Sequence, residues 1–248
     1  MTKWSDTDPK LEPNPSSEPD RTSLLWLIAA AIATVFLWQV PIGNYLLYPF
    51  SILATWFHEM GHGLTAMLLG GRFERLLIFP NGSGLAYHRG FLFLGPIGRA
   101  LVSAGGPMGP AFAGAAFILA SQKARSSRWA LILLGSLLIL SAVIWVRSAF
   151  GLVFVPLAGL GVLAIALLGP NWMQQFSIQF LGVQACISLF HQVDYLFMNR
   201  AVIGGQVQLS DSAQIASQLL LPYWFWGGLM VIASLVLLVQ SLRVTYRL

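Results

Sequence analysis

The stretch YLLYPFSILATWFHEMGHGLTAMLL, residues 45–69, is long and apolar enough to cross a membrane, and it carries His58-Glu59-Met60-Gly61-His62 in its interior. Tyrosines aside, this pentad holds every ionisable side chain of the run. Residues i and i+4 share a helical face, so the two imidazoles of an H-E-x-x-H pattern can hold one Zn²⁺ while the glutamate beside them acts as general base. Each ionised side chain at membrane depth costs about 2.5–3.5 kcal/mol on insertion scales, so such groups stay only where something compensates them. A metal ion is the direct compensation; the bland alternative is a solvated, inert helix end.

The rest of the chain fits that setting. Of 248 residues, 56% are apolar and 9% charged, against about 25% charged in soluble domains, so an integral membrane protein is expected, and not a soluble or nucleic-acid-binding one. The formal charge of +5 sits at the ends of apolar runs, where it reports topology and contact with anionic headgroups. Residues 1–22 are rich in Pro, Ser and acid and cannot bury a core, which reads as a disordered tail ahead of one membrane domain over residues 23–248. That tail lacks a basic segment directly before the apolar run, so a cleaved signal peptide is not expected. Runs near 23–40, 45–70, 98–120, 129–147, 150–168, 174–197 and 219–240 give an all-α polytopic bundle of about seven transmembrane helices. The break at Trp145-Val146-Arg147-Ser148 is the weakest of the boundaries. A single cysteine, Cys186, excludes an internal disulfide and a Cys-based metal cluster.

Beyond residue 69 the period changes. Gly70-Gly71 reads as a helix C-cap, and Phe73, Leu76, Leu77, Ile78 and Phe79 favour a strand. Pro80-Asn81-Gly82-Ser83-Gly84 is dense in turn residues, and Leu85-Ala86-Tyr87 can return as a second strand. A short β-hairpin after the metal-binding helix follows. It either lines the site and offers a free edge to an extended peptide, or lies as a loop on the headgroups. Next, Gly105, Gly109 and Ala113 are small-xxx-small steps that bring a helix close to its neighbour, and Pro107 and Pro110 predict a kink or unwound segment there.

A catalytic zinc takes three protein ligands, and the pentad supplies two. Glu74, His88, His191, Asp194 and Asp211 are the candidates for the third. Glu74 stands between Arg72 and Arg75, which suits an ion pair, and His88 beside Arg89 reads as interfacial. Asp194 shares a helical face with His191 and suits a ligand, a partner to a ligating imidazole, or a partner to His191. Asp211 precedes an apolar helix, where a capping role is the ordinary one.

The segments Phe57-His58-Glu59-Met60-Gly61-His62-Gly63, Leu69-Gly70-Gly71-Arg72, Phe79-Pro80-Asn81-Gly82-Ser83-Gly84, Ser103-Ala104-Gly105-Gly106-Pro107-Met108-Gly109-Pro110 and Ser210-Asp211-Ser212-Ala213 resemble, in order, the site-2 protease family of intramembrane zinc metalloproteases, in its small bacterial and plant-type peptidase branch. The resemblance implies a zinc endopeptidase of the membrane, bacterial inner membrane included, that cleaves transmembrane or membrane-proximal polypeptides after local unwinding. It makes His58 and His62 zinc ligands and Glu59 the general base. Better-known members take their third ligand from an Asp-Gly element opening a late helix; that element is absent here. Asp211 most resembles it in position, and Asp194 is the alternative. The rival class is a noncatalytic scaffold or transporter retaining a metal site. An intact Glu59 favours chemistry, and the internal repeats common in transporters are not evident.

Overall fold

The computed structural model describes residues 21–246, so the tail read over residues 1–22 lies outside the described residues except for its last two, which open a helix. Helix α1 (Arg21–Leu37) leads into α2 (Pro41–Leu68), and the hairpin β1 (Arg72–Ile78) and β2 (Gly84–Arg89) follows. Then come α3 (Pro96–Ala120), α4 (Ala124–Ile144), α5 (Ala149–Leu168), α6 (Asn171–His191) and the short α7 (Val193–Leu196). A second hairpin, β3 (Arg200–Ile203) and β4 (Gln206–Leu209), precedes α8 (Asp211–Gln218) and α9 (Tyr223–Tyr246).

Inside and outside are arranged for a lipid solvent. Leu152, Val153, Leu157, Leu160 and Leu168 of α5 and Ile232, Leu235 and Val236 of α9 face outward, while Ser127, Ser141, Gln174, Gln179, Gln184, Ser188 and Ser234 are buried. In hydrocarbon, apolar side chains gain nothing by turning inward, whereas polar ones find partners only within the protein. Trp56 Nε1 donates to Ser141 Oγ at 2.9 Å, and Ser234 Oγ donates to the Cys186 carbonyl at 3.2 Å.

Four helices, α3, α4, α5 and α9, are long and apolar enough to cross a membrane. The bent pair of α1 and α2, meeting at 118°, makes a fifth if counted as one broken span. The expected count of about seven is therefore not reproduced by length and hydropathy. The shortfall has a physical source in α6, which carries Gln174, Gln175, Gln179 and Gln184. Several of these are buried against neighbouring helices, so the helix reads as polar without exposing polarity to lipid. The α1–α2 bend falls at Trp38-Gln39-Val40, just before Pro41, where the proline ring disfavours helix in the preceding residue and suits the first helical turn.

Helices approach closely where side chains vanish. A Cβ on Gly182 would stand 2.8 Å from the Gly114 carbonyl oxygen, joining α3 to α6, and one on Gly159 would stand 2.9 Å from the Gly135 oxygen, joining α4 to α5. Of the expected kink or unwound segment in α3, no unwound segment forms: the helix runs through Pro107 and Pro110 without interruption.

The first hairpin forms where the turn residues predict it, with Gly70 at φ +87° just past the end of α2. Its β1 edge is not free. Leu76 donates to the Trp145 carbonyl at 2.8 Å, accepts from Arg147 N at 2.9 Å, and Ile78 N donates to Ser148 Oγ at 2.9 Å. The weak α4–α5 boundary is thus a strand-like connection that seals β1. Because Leu76 and Ile78 point outward, Leu77 faces its partner Leu85, and a proline at Leu77 would break the ladder within the hairpin, not an exposed edge.

Candidate metal centre and active site

Helix α2 carries His58, Glu59 and His62 on a buried face. His58 and Glu59 are 7% and 6% exposed, and the His58 and His62 rings lie 4.9 Å apart. The face is held in register from both sides. Thr55 Oγ1 donates to the Gly82 carbonyl at 2.6 Å and the Tyr48 hydroxyl to the Pro80 carbonyl at 2.7 Å, fixing the turn of the first hairpin over the helix. On the other side α3 lies against α2 through Gly61, Gly105 and Gly109; any Cβ at Gly61 would strike the Gly105 carbonyl. The small-residue steps read in the sequence mark this seam.

Asp211 reaches the same point from the opposite end of the chain. Its Oδ2 stands 3.0 Å from His58 Nε2 and its Oδ1 3.3 Å from His62 Nε2, and the residue is 2% exposed. The flanking serines anchor it. Ser210 accepts from Ala213 N at 3.2 Å as the N-cap of α8 and donates to the Met198 carbonyl at 2.6 Å, while Ser212 Oγ donates to the Leu196 carbonyl at 2.5 Å. Capping therefore falls to Ser210, which leaves the Asp211 carboxylate free to face the histidines.

The other candidates stand elsewhere. Asp194 is exposed on α7 and outside the cluster. Glu74 pairs with Arg89 at the surface, as its arginine neighbours suggest, and His88 is exposed near the end of β2. The side chain of His191 lies outside the described residues.

The donor set fits a zinc ion. One ligand atom each from His58, His62 and Asp211 lies within 4.8 Å of the others. His62 Nδ1 is 2.8 Å from the Val102 carbonyl; with the proton on that nitrogen, Nε2 keeps its lone pair toward Asp211, the tautomer a metal requires. Asp211 Oδ2 is fully buried, and although His58 Nε2 lies 3.0 Å away, no donor reaches it with hydrogen-bond geometry; a cation supplies what such an oxygen lacks. Two histidines and a carboxylate are the ligand types of a catalytic zinc set. Room for the His62 ring depends on Gly106, where any Cβ would collide with the imidazole. Gly106→Ala is therefore expected to lower zinc affinity by about 10–100-fold, as misdirected ligands do; competition with a chromogenic chelator measures it, and unchanged affinity would refute the packing argument.

A cleft of about 490 Å³ opens onto His58 and Glu59. Its walls come from α2, the first hairpin's turn at Asn81 to Gly84, α6 and β3. Gly84 is packed against Glu59, where a Cβ would lie 2.6 Å from its Cγ, and the Ala86 N–H hydrogen-bonds the Glu59 carboxylate. Three features of this cleft escape a reading of the sequence for metal ligands. Gln184 and Ser188 of α6 and Gln192 just past its end form a polar row with a spacing of four. Tyr195 stands 6.4 Å from His58, ring to ring, and lines the same cleft. The hairpin β3–β4 is signalled by Gly204-Gly205 between short apolar runs.

The comparisons agree with this geometry. No curated protein and no solved structure matches the chain. The Peptidase M50B-like family model matches residues 27–241, which take in the pentad on α2, both hairpins and Asp211. An apolar helical bundle with an H-E-x-x-H helix at its centre, matched over nearly its whole length, belongs to the Peptidase M50B-like family, within the site-2 protease family.

Proposed function

We propose that the protein is a membrane-embedded zinc endopeptidase cleaving transmembrane or membrane-proximal polypeptides, with His58, His62 and Asp211 as metal ligands and Glu59 as general base. The observation that carries this reading is the meeting of a buried His₂Asp set with a glutamate on the wall of one open cleft. Family membership supports peptidase chemistry, and the outward-facing apolar helices support the membrane setting. In this reading α2 and α6, which do not count as spans on their own, also cross within the bundle, and the bilayer is the bacterial inner membrane. The compact bundle fits the family's small bacterial and plant-type branch.

Zinc held by these residues would supply Lewis acidity, polarising the scissile carbonyl and lowering the pKa of water to about 7. The chain's own groups do the remainder. Glu59 takes the proton from the attacking water and returns it to the leaving amine. The Ala86 N–H holds the Glu59 carboxylate in place, and the Val102 carbonyl fixes the tautomer of His62. A polypeptide must enter as extended chain, because a helix buries the carbonyls that water attacks.

Removal of metal tests the proposal. Purified protein in detergent should contain about one zinc per chain, lose proteolysis of casein, an unfolded polypeptide probe, on treatment with 1,10-phenanthroline, and regain it on adding Zn²⁺. Proteolysis that survives complete loss of metal would rule the mechanism out.

A further inference from the structure

Where they pass the metal helix, both edges of the first hairpin are engaged: β1 with residues 145–148 and β2 with Thr55 and Glu59. The second hairpin differs. Gly204 and Gly205, at φ +57° and +80°, make a two-residue turn beside the pair Ile203↔Gln206. In such a hairpin the pair flanking the turn exchanges both backbone hydrogen bonds, and bonded and non-bonded pairs then alternate. Val202↔Val207 is thus a non-bonded pair. The N–H and C=O of Val202 point away from β4, toward the outer side of β3, where among the described residues no third strand lies.

That outer side faces the metal cleft. Ala201, Val202 and Ile203, three consecutive residues, line the same cleft as His58 and Glu59. Side chains on a strand alternate between its faces, so a cavity touching three in a row meets the strand's edge. Val202 is 69% exposed, and among the described residues no strand covers the edge there. At the hairpin's tip, Gly204 rests against Phe79 of the first hairpin, with a Cβ there 3.0 Å from Phe79 Cζ, so the two hairpins meet and bound the cleft at one end.

We propose that β3 is the strand on which substrate is laid. An extended polypeptide segment pairs with the outward N–H and C=O of Val202 and runs past His58 and Glu59, between β3 and the turn at Asn81 to Gly84. Trp38, Tyr48, Phe50 and Ile203 on the cleft walls select apolar side chains, as an unwound membrane segment would present. Main-chain pairing supplies affinity without fixing sequence, which suits an enzyme that must hold an unwound chain. This inference rests on the peptidase reading.

The test uses a matched pair of variants in the full chain, Val202→Pro and Val207→Pro. Each removes an N–H that makes no bond within the hairpin, but that of Val202 faces the cleft and that of Val207 faces away. Val202→Pro is expected to lower kcat/KM for casein at least tenfold with zinc content unchanged, while Val207→Pro stays within twofold of the wild type. Equal rates in the two variants, whether both fast or both slow, overturn the assignment. Should Val202→Pro fail to fold, an N-methyl scan of an apolar peptide cleaved by the wild-type protein replaces it. A tenfold loss at a position two or more residues from the cleaved bond is expected, and indifference to methylation throughout overturns the pairing. Zinc-loaded wild-type protein that cleaves neither casein nor peptide would instead overturn the peptidase reading itself.

Discussion

Glu59→Gln is expected to lower proteolysis by about 10²–10⁴-fold, the usual contribution of a positioned general base, while zinc content stays at the wild-type level. The substitution is nearly isosteric, and the space around residue 59 demands that. Gly84 is packed against the side chain, the residue is 6% exposed, and the Ala86 N–H needs an acceptor that a glutamine oxygen still provides. Glu59 is absent from the group of converging ligand atoms, so its loss removes no metal bond. Cleavage of casein and metal analysis on the same preparation separate the two properties. Parallel loss of zinc and activity would make Glu59 a ligand or a structural anchor, and near-normal turnover would pass the proton to another group on the cleft wall, such as Tyr195.

The sequence carries the metal helix almost completely, and the reason is local. Two histidines one turn apart need nothing but helix geometry to converge, and an apolar run guarantees the helix. The first hairpin is legible for the same reason, since Gly70-Gly71 and Pro80-Asn81-Gly82 dictate their own backbone. What is not legible depends on distant partners. That β1 is sealed by residues 145–148 follows from how α4 and α5 dock, and no periodicity in residues 72–78 encodes it. Hydropathy passes over α6, which the sequence reads as the span near 174–197, because it treats Gln174 and Gln179 as if they faced lipid, whereas Gln174 donates to the carbonyls of Ala166 and Gly169 and Gln179 pairs with Tyr246. The second hairpin had a signal in Gly204-Gly205, but its flanking runs of four residues are short, and that β3 lines the same cleft as Glu59 depends on the tertiary fold.

Spacing left Asp194 and Asp211 open as third ligand; Asp211 is buried beside both histidines, and Asp194 is exposed. Asp211→Ala is expected to reduce zinc affinity by more than about 100-fold, as much as His58→Ala, because it removes the carboxylate that faces both imidazoles. Substitutions that only disturb ligand support cost about 10–100-fold. Asp194→Ala, on the exposed face of α7, is expected to bind zinc as the wild type does. Folding is not the confounding factor it would be at a cap, since Ser210 keeps the N-terminal bond to Ala213 and Ser212 its bond to Leu196 whatever stands at position 211. Asp211→Asn adds a finer control: it preserves shape and the neutral oxygen but not the charge that offsets a divalent ion in a buried site, so its affinity should fall between the alanine variant and the wild type. Chelator competition on the four variants and the wild type gives the ranking. If Asp194→Ala released zinc and Asp211→Ala did not, the carboxylate between the two histidines would be only a hydrogen-bond acceptor for them, and the metal would have to sit on the α7 side of the cleft.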